Sequence, residues 1–156
     1  MDSKLKLTWI EIENYINNIY EKILESSFRP DILISVGRGG MIPTRLLSDA
    51  LNISKIHLFE ISKYTGVFQK GKSKTKCEFT HNIEHSKVLI IDDILDTGET
   101  FEDVINHLKK FNYKESRTCS LLVRGTAVLK PSYYGELLEV NDKRWIVFPW
   151  EKREFK

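Results

Sequence analysis

Val88-Leu89-Ile90-Ile91-Asp92-Asp93-Ile94-Leu95-Asp96-Thr97-Gly98-Glu99-Thr100 is the stretch from which the architecture can be read. Its opening residues are apolar and mostly β-branched, which predicts a buried strand over Lys87–Ile91. The adjacent carboxylates of Asp92 and Asp93 stand at the C-terminal end of that strand. A short turn of small and hydroxyl-bearing residues follows. Phe101, Val104, Ile105, Leu108 and Phe111 then recur at helical spacing. Strand, acid pair, turn and helix, in that order, build a site for a sugar that carries a phosphate. The paired carboxylates can hold neighbouring hydroxyls, and free N–H groups at the start of the helix can hold the phosphate.

The same alternation runs along the chain. Thr8 and Glu11 form a capping box ahead of an amphipathic helix over residues 9–26, with Trp9, Ile12, Ile16, Ile19 and Ile23 on its apolar stripe. Arg29-Pro30 breaks it. Asp31–Val36 reads as a strand, Gly37-Arg38-Gly39-Gly40 as a turn, and Ile42, Leu46, Leu47, Ala50 and Leu51 as a helical face with Pro43 in its first turn. Lys55–Ser62, Thr118–Val123 and Trp145–Phe148 are further strands. Residues 63–86, with Gly66, Gly71 and several lysines, read as a mobile hairpin or lid. Strands alternating with helices predict an α/β fold with a mostly parallel sheet flanked by helices. In such sheets ligands bind beyond the carboxyl ends of the strands, where the acid pair and the glycine turn both fall.

The 156 residues fit one domain, 1–156, with one sizeable core. The net charge of +2 does not point to nucleic acid. No apolar run reaches the length of a membrane span, and a cytoplasmic location is expected. Cys77 and Cys119 are too few and too isolated for a disulfide framework or a zinc site.

Two anion sites emerge from the residues alone. Asp96, Thr97, Gly98, Glu99 and Thr100 can wrap a phosphate, with Gly98 allowing close backbone approach and Glu99 turned to solvent. Thr100 can equally N-cap the helix, with Asp103 completing a capping box. Gly37, Arg38, Gly39 and Gly40 form the second site, where Arg38 adds a fork of donors suited to phosphate. Arg45, just beyond, reads as a solvated surface residue.

The Asp92–Thr100 segment resembles the phosphoribosyl-pyrophosphate (PRPP) motif of type I phosphoribosyltransferases, and its wording is most similar to the 6-oxopurine (xanthine-guanine and hypoxanthine-guanine) branch. The resemblance extends from the first helix to Glu151. It implies a single-domain type I fold with a flexible lid, about 63–86, and a small C-terminal base-binding hood, about 124–151. It implies that Asp92 and Asp93 hold the ribose and, with Glu151, Mg2+. It implies Asp96 as general base near the purine N7, with the 37–40 loop gripping pyrophosphate through Arg38 and a strained Gly37–Arg38 peptide. Ser62 and Tyr64 match the lid, Trp145 the residue that stacks on the base, and the following backbone at Ile146 the reader of its exocyclic edge; Trp150 reads as packing. Arg124, followed by Gly125, stands where the family has a lysine that donates to O6; the resemblance implies that Arg124 binds and orients the base, as arginine can also donate to O6 and N7, with base choice left open, and Lys130 reaches the site only if its loop folds back.

The implied reaction is Mg-dependent purine salvage from PRPP and a base to a nucleoside monophosphate and pyrophosphate, in a homodimer or homotetramer, without nucleic acid or membrane partners. Two alternatives stand beside it: a phosphoribosyltransferase for adenine or a pyrimidine, and a non-catalytic regulator that senses PRPP or nucleotides. No Gly-x-Gly-x-x-Gly follows the first strand, which argues against a dinucleotide-binding fold.

Overall fold

The structure is a computed structural model that describes residues 3–64 and 74–151. Its elements are β1 (Lys4–Lys6), α1 (Trp9–Glu25), β2 (Ile32–Val36), α2 (Met41–Leu51), β3 (Ile56–Tyr64), β4 (Lys74–Glu78), β5 (Lys87–Leu95), α3 (Glu99–Leu108), β6 (Glu115–Val123), β7 (Tyr133–Leu137) and β8 (Trp145–Val147), with a 3-10 turn at Pro149–Glu151. The main sheet has the order β4-β3-β2-β5-β6-β7. All its neighbours pair in parallel except β3 and β4. β1 and β8 form a separate two-stranded parallel ribbon, so the strand expected at Trp145–Phe148 lies outside the main sheet.

The period-two alternation of the central strands sorts the core into two layers. Leu33, Leu89 and Ile91 face α1 and α2, meeting Ile12, Ile16, Ile19 and Leu47. Ile32, Ile34, Val88 and Ile90 face α3, meeting Phe101, Val104 and Leu108. The capping box at the start of α1 is present, with the Glu11 N–H donating to Thr8 Oγ1 and the Thr8 N–H donating to Glu11 Oε2. The helix ends at Glu25, ahead of Arg29-Pro30. Arg29 folds back on that end, its guanidinium donating to the carbonyls of Ile23, Leu24, Ser26 and Phe28. A cation there satisfies orphan carbonyls at the negative pole of the helix.

Two expectations are corrected here. The strand expected to end at Ile91 continues through both aspartates to Leu95. β2 stops pairing with it at Ser35–Ile91, but β6 continues alongside, with Asp92 opposite Ser120 and Leu95 opposite Val123. The backbone is therefore still held on one side where the carboxylates emerge. The lid expected over 63–86 is too long at its C-terminal end. Phe79 and Ile83 are buried against Phe59, Val88 and Phe101 in the core, so this part belongs to the body. β3 and β4 form the antiparallel arms of the hairpin, with Tyr64 opposite Lys74, and residues 65–73 between them lie outside the described residues.

Candidate active site

The site forms where β2 and β5 part. β2 runs into the glycine loop while β5 carries the acid pair onward. Gly37 sits in the left-handed region at φ +53° and turns the chain back over the sheet edge. No described peptide is cis, so the special geometry of the loop rests on that φ and not on an isomerised Gly37–Arg38 bond. Gly39 lies against the acid pair: a Cβ there would stand 2.9 Å from Asp93 Oδ1 and 3.0 Å from Asp92 Oδ1. The glycine loop and the acid pair thus form one wall. Gly39→Ala is expected to push the carboxylates aside and weaken binding of a phosphorylated sugar about tenfold, with the melting temperature changed by less than about 3 °C. Calorimetric titration and thermal unfolding of one preparation check both parts.

Asp92 and Asp93 are half-buried, and their own backbone turns to meet them. The Asp93 N–H donates to Asp92 Oδ1 at 2.9 Å, and the Ile94 N–H donates to Asp93 Oδ1 at 2.8 Å. Burial pushes the Asp92 carboxyl well above the usual carboxylate range, and the neighbouring Asp93 charge pushes it further. Asp93 is also raised, chiefly by burial, with the Glu151 charge adding to it. Such a pair favours a cation, or hydroxyl donors, in front of it.

The phosphate loop opens α3 differently from the expectation for Thr100. The helix begins at Glu99, and its N-cap is Gly98 at φ +99°, with no side-chain cap bond. Thr100 lies inside the first turn and Asp103 completes no capping box, because the left-handed turn at Gly98 has already started the helix one residue earlier. The Glu99 N–H donates to Thr97 Oγ1 at 3.3 Å. Gly98 itself supplies no side-chain cap to the first turn of α3.

A cavity of about 560 Å³ joins these parts, lined by Gly37, Arg38, Gly39, Asp92, Asp93, Thr100 and Glu151, together with Val36, Ile61 and Trp150. Trp150 and Ile61 were not expected in the site. Trp150 belongs to an aromatic stack, 4.7 Å from Phe148 and 5.8 Å from Trp9 between ring centroids, and only tertiary packing turns it toward the acid pair. Ser62 lines an adjoining cavity of about 370 Å³ that shares Gly37, Arg38 and Ile61 with the first. A larger cavity of about 740 Å³ lies within the hood segment, lined by Ser3, Glu136–Glu139 and Asn141–Arg144, and touches none of the motif residues.

Glu151 accepts the Phe148 N–H at 2.9 Å, which fixes the final turn at the cavity wall. Among the described residues, no three His, Cys, Asp or Glu side chains converge as a preformed metal site. Asp92, Asp93 and Glu151 share a cavity without closing on one point. The donor set nonetheless suits Mg2+, which binds through one or two carboxylates and completes its shell with water and substrate phosphates.

Of the expected site residues, Gly40, Asp96, Thr97, Gly98, Glu99, Arg124, Trp145 and Ile146 do not line the main cavity. Asp96 is exposed on the turn, 3.8 Å from Arg124 Nε. Trp145 is 67% exposed on β8, and Ile146 is buried in the α1 layer of the core. Arg124 directs its guanidinium to the hood backbone, donating to the carbonyls of Asp142 (3.2 Å) and Arg144 (2.9 Å).

The phosphoribosyl transferase domain family matches residues 7–153. A xanthine-guanine phosphoribosyltransferase of Desulfotalea psychrophila is 30% identical over 151 residues, covering 93% of this chain and 84% of that protein. The crystal structure of a purine phosphoribosyltransferase from Pyrococcus horikoshii Ot3 is 34% identical with a TM-score of 0.82, covering 100% of this chain and 99% of that one. A Helicobacter pylori xanthine-guanine-hypoxanthine phosphoribosyltransferase, at 24% identity and a TM-score of 0.78, covers 94% of this chain and 93% of its own and shares the fold.

Proposed function

Because this chain belongs to the phosphoribosyl transferase domain family, we propose that it is a purine salvage enzyme that transfers the 5-phosphoribosyl group of PRPP to a 6-oxopurine (guanine, hypoxanthine or xanthine). The observation that carries this is the one cavity shared by Thr100 in the first turn of α3, the glycine-arginine loop and the half-buried acid pair. Each part matches one part of PRPP: 5-phosphate, pyrophosphate and ribose hydroxyls. The purine relatives cover nearly the whole chain.

In this mechanism the C1–oxygen bond to pyrophosphate breaks and a C1–nitrogen bond to the purine forms, while the purine loses a proton. The turn from Asp96 to Thr100 holds the 5-phosphate, and Asp92 and Asp93 orient the ribose. The Arg38 guanidinium and the N–H groups of Arg38 and Gly39 stabilise charge on the departing pyrophosphate, whereas the Gly37 and Gly40 N–H groups donate to the Phe59 and Val36 carbonyls. Mg2+, held by Asp92 and Asp93 with Glu151 nearby, supplies further neutralisation of that charge when bound. Trp145 stacks on the base, the backbone at Ile146 reads its edge, and Asp96 accepts the purine proton. Ser62 and Tyr64 stand at the hairpin that covers the reacting centre. Catalysis is then positioning plus charge stabilisation, with little covalent work for the protein. A cytoplasmic homodimer or homotetramer is part of the proposal.

Product formation tests it. The protein is mixed with PRPP and Mg2+, and offered guanine, hypoxanthine, xanthine, adenine, uracil or orotate in turn. A mononucleotide from a 6-oxopurine is expected. Product only from adenine or a pyrimidine overturns the substrate, and PRPP binding without product from any base moves the function to ligand sensing. Asp96→Asn is expected to lower kcat about a hundredfold or more with PRPP affinity held within about threefold, as loss of a general base requires. Equal losses in both would remove Asp96 from that role.

A further inference from the structure

Arg124 makes contacts that a base-reading side chain does not need. It follows directly on β6, and its own N–H donates to the Leu95 carbonyl at 2.9 Å, at the end of the strand that carries the acid pair. Its side chain is only 15% exposed. Both Nη groups are engaged, one on the Asp142 carbonyl and one on the Arg144 carbonyl. The Arg144 carbonyl belongs to the same peptide as the Trp145 N–H, and that N–H donates to the Ser3 carbonyl at 3.0 Å. The peptide that launches Trp145 is therefore pinned from both sides, by Arg124 and by the chain entering β1. Gly125 brings the same segment into direct backbone contact with the hood: a Cβ there would stand 2.5 Å from the Leu138 carbonyl oxygen and 2.6 Å from the Val140 nitrogen.

We infer that Arg124 is a positioning residue, a strut that fixes the 142–145 segment of the hood relative to the acid-pair strand, and that it does not read the purine O6. The planar guanidinium spans two carbonyls at once, which a lysine ammonium on a flexible stem cannot reproduce with the same order. The base is then selected by the hood backbone that Arg124 holds. The part concerning the base rests on the function proposed above; the strut itself does not.

The test uses Arg124→Lys and Arg124→Ala in the full-length protein. Hydrogen exchange of the 139–146 amides is followed without ligand, and steady-state kinetics with 6-oxopurines and with adenine. A strut predicts exchange in this segment about tenfold faster in both variants, the scale of one lost hydrogen bond. It predicts a base KM raised about tenfold and a PRPP KM within about twofold. The 6-oxo over 6-amino preference stays within about threefold, because no contact to the base edge is lost. The inference is overturned if hood exchange matches wild type, if Arg124→Lys lowers the base KM, or if the 6-oxo preference collapses. Absence of turnover in the wild type would sink the proposed function alone, since the exchange measurement still decides the strut. Should Arg124→Ala not fold, Arg124→Lys carries both arms.

Discussion

Asp92→Asn is expected to raise the melting temperature of the ligand-free protein by about 2–6 °C and to lower turnover about a hundredfold or more. The opposite signs have one cause. Burial and the Asp93 charge hold the Asp92 carboxyl well above the usual range, so its ionised form costs stability when nothing sits in front of it. Asparagine keeps the Oδ1 that accepts the Asp93 N–H and removes the charge. Function loses the anionic partner for a hydroxyl or a cation.

The pH dependence follows from the direction of the shift. Between the ordinary carboxylate value and the raised folded value, the native state binds more protons than the unfolded state, so native stability falls as pH rises through the folded value. The gap in melting temperature between variant and wild type is therefore widest near neutrality and closes as pH falls, when Asp92 in the wild type is itself protonated. Comparing the two proteins cancels groups remote from the pair, including His57, whose burial acts in the opposite direction, while Asp93 changes together with Asp92 because the two are coupled. Parallel melting curves across pH, or a destabilised variant at neutral pH, would remove the acid pair as a source of stored strain.

Gly40→Ala is expected to damage the fold where Gly39→Ala damages the site. Gly40 has an ordinary helical φ of −75°, so the obstacle is space and not backbone conformation. A Cβ there would stand 2.3 Å from the Ile91 carbonyl oxygen and 2.8 Å from the Val36 nitrogen. Both are backbone atoms of the two central strands and cannot swing away like a side chain. Separating the loop from the sheet is expected to cost about 3 kcal/mol or more, which corresponds to about 6–12 °C in melting temperature for a chain of this size. Thermal unfolding by circular dichroism measures it directly. A variant melting within about 2 °C of wild type would show that the loop can shift as a unit.

Legibility in the sequence tracked the range of the interactions involved. α1 and its capping box were readable because Thr8 and Glu11 lie within one turn and the apolar stripe repeats locally. β2 and the core of β5 were readable as apolar runs. The short strands β1, β4 and β7 are not legible as strands, because three to five residues acquire strand geometry only from a partner, whereas β8 is legible as a strand but not its pairing with β1. The start of α3 was misplaced at Thr100 because hydroxyl capping is the common local rule, whereas Gly98 starts the helix under close packing against Leu129.

The chain's order of strand, acid pair, turn and helix determined by itself the α/β class, the family and the positions of the glycine turn and of the turn before α3, since each depends on residue types within a dozen positions. Tertiary structure alone decided three other things. It brought Gly39 against Asp92 and Asp93, raising the energy of the charged pair through burial that no local pattern records. It turned Trp150 and Glu151 onto the cavity wall. It also directed Arg124 to the carbonyls of Asp142 and Arg144, because a guanidinium takes whichever acceptors the fold presents, and those lie about twenty residues further along the chain.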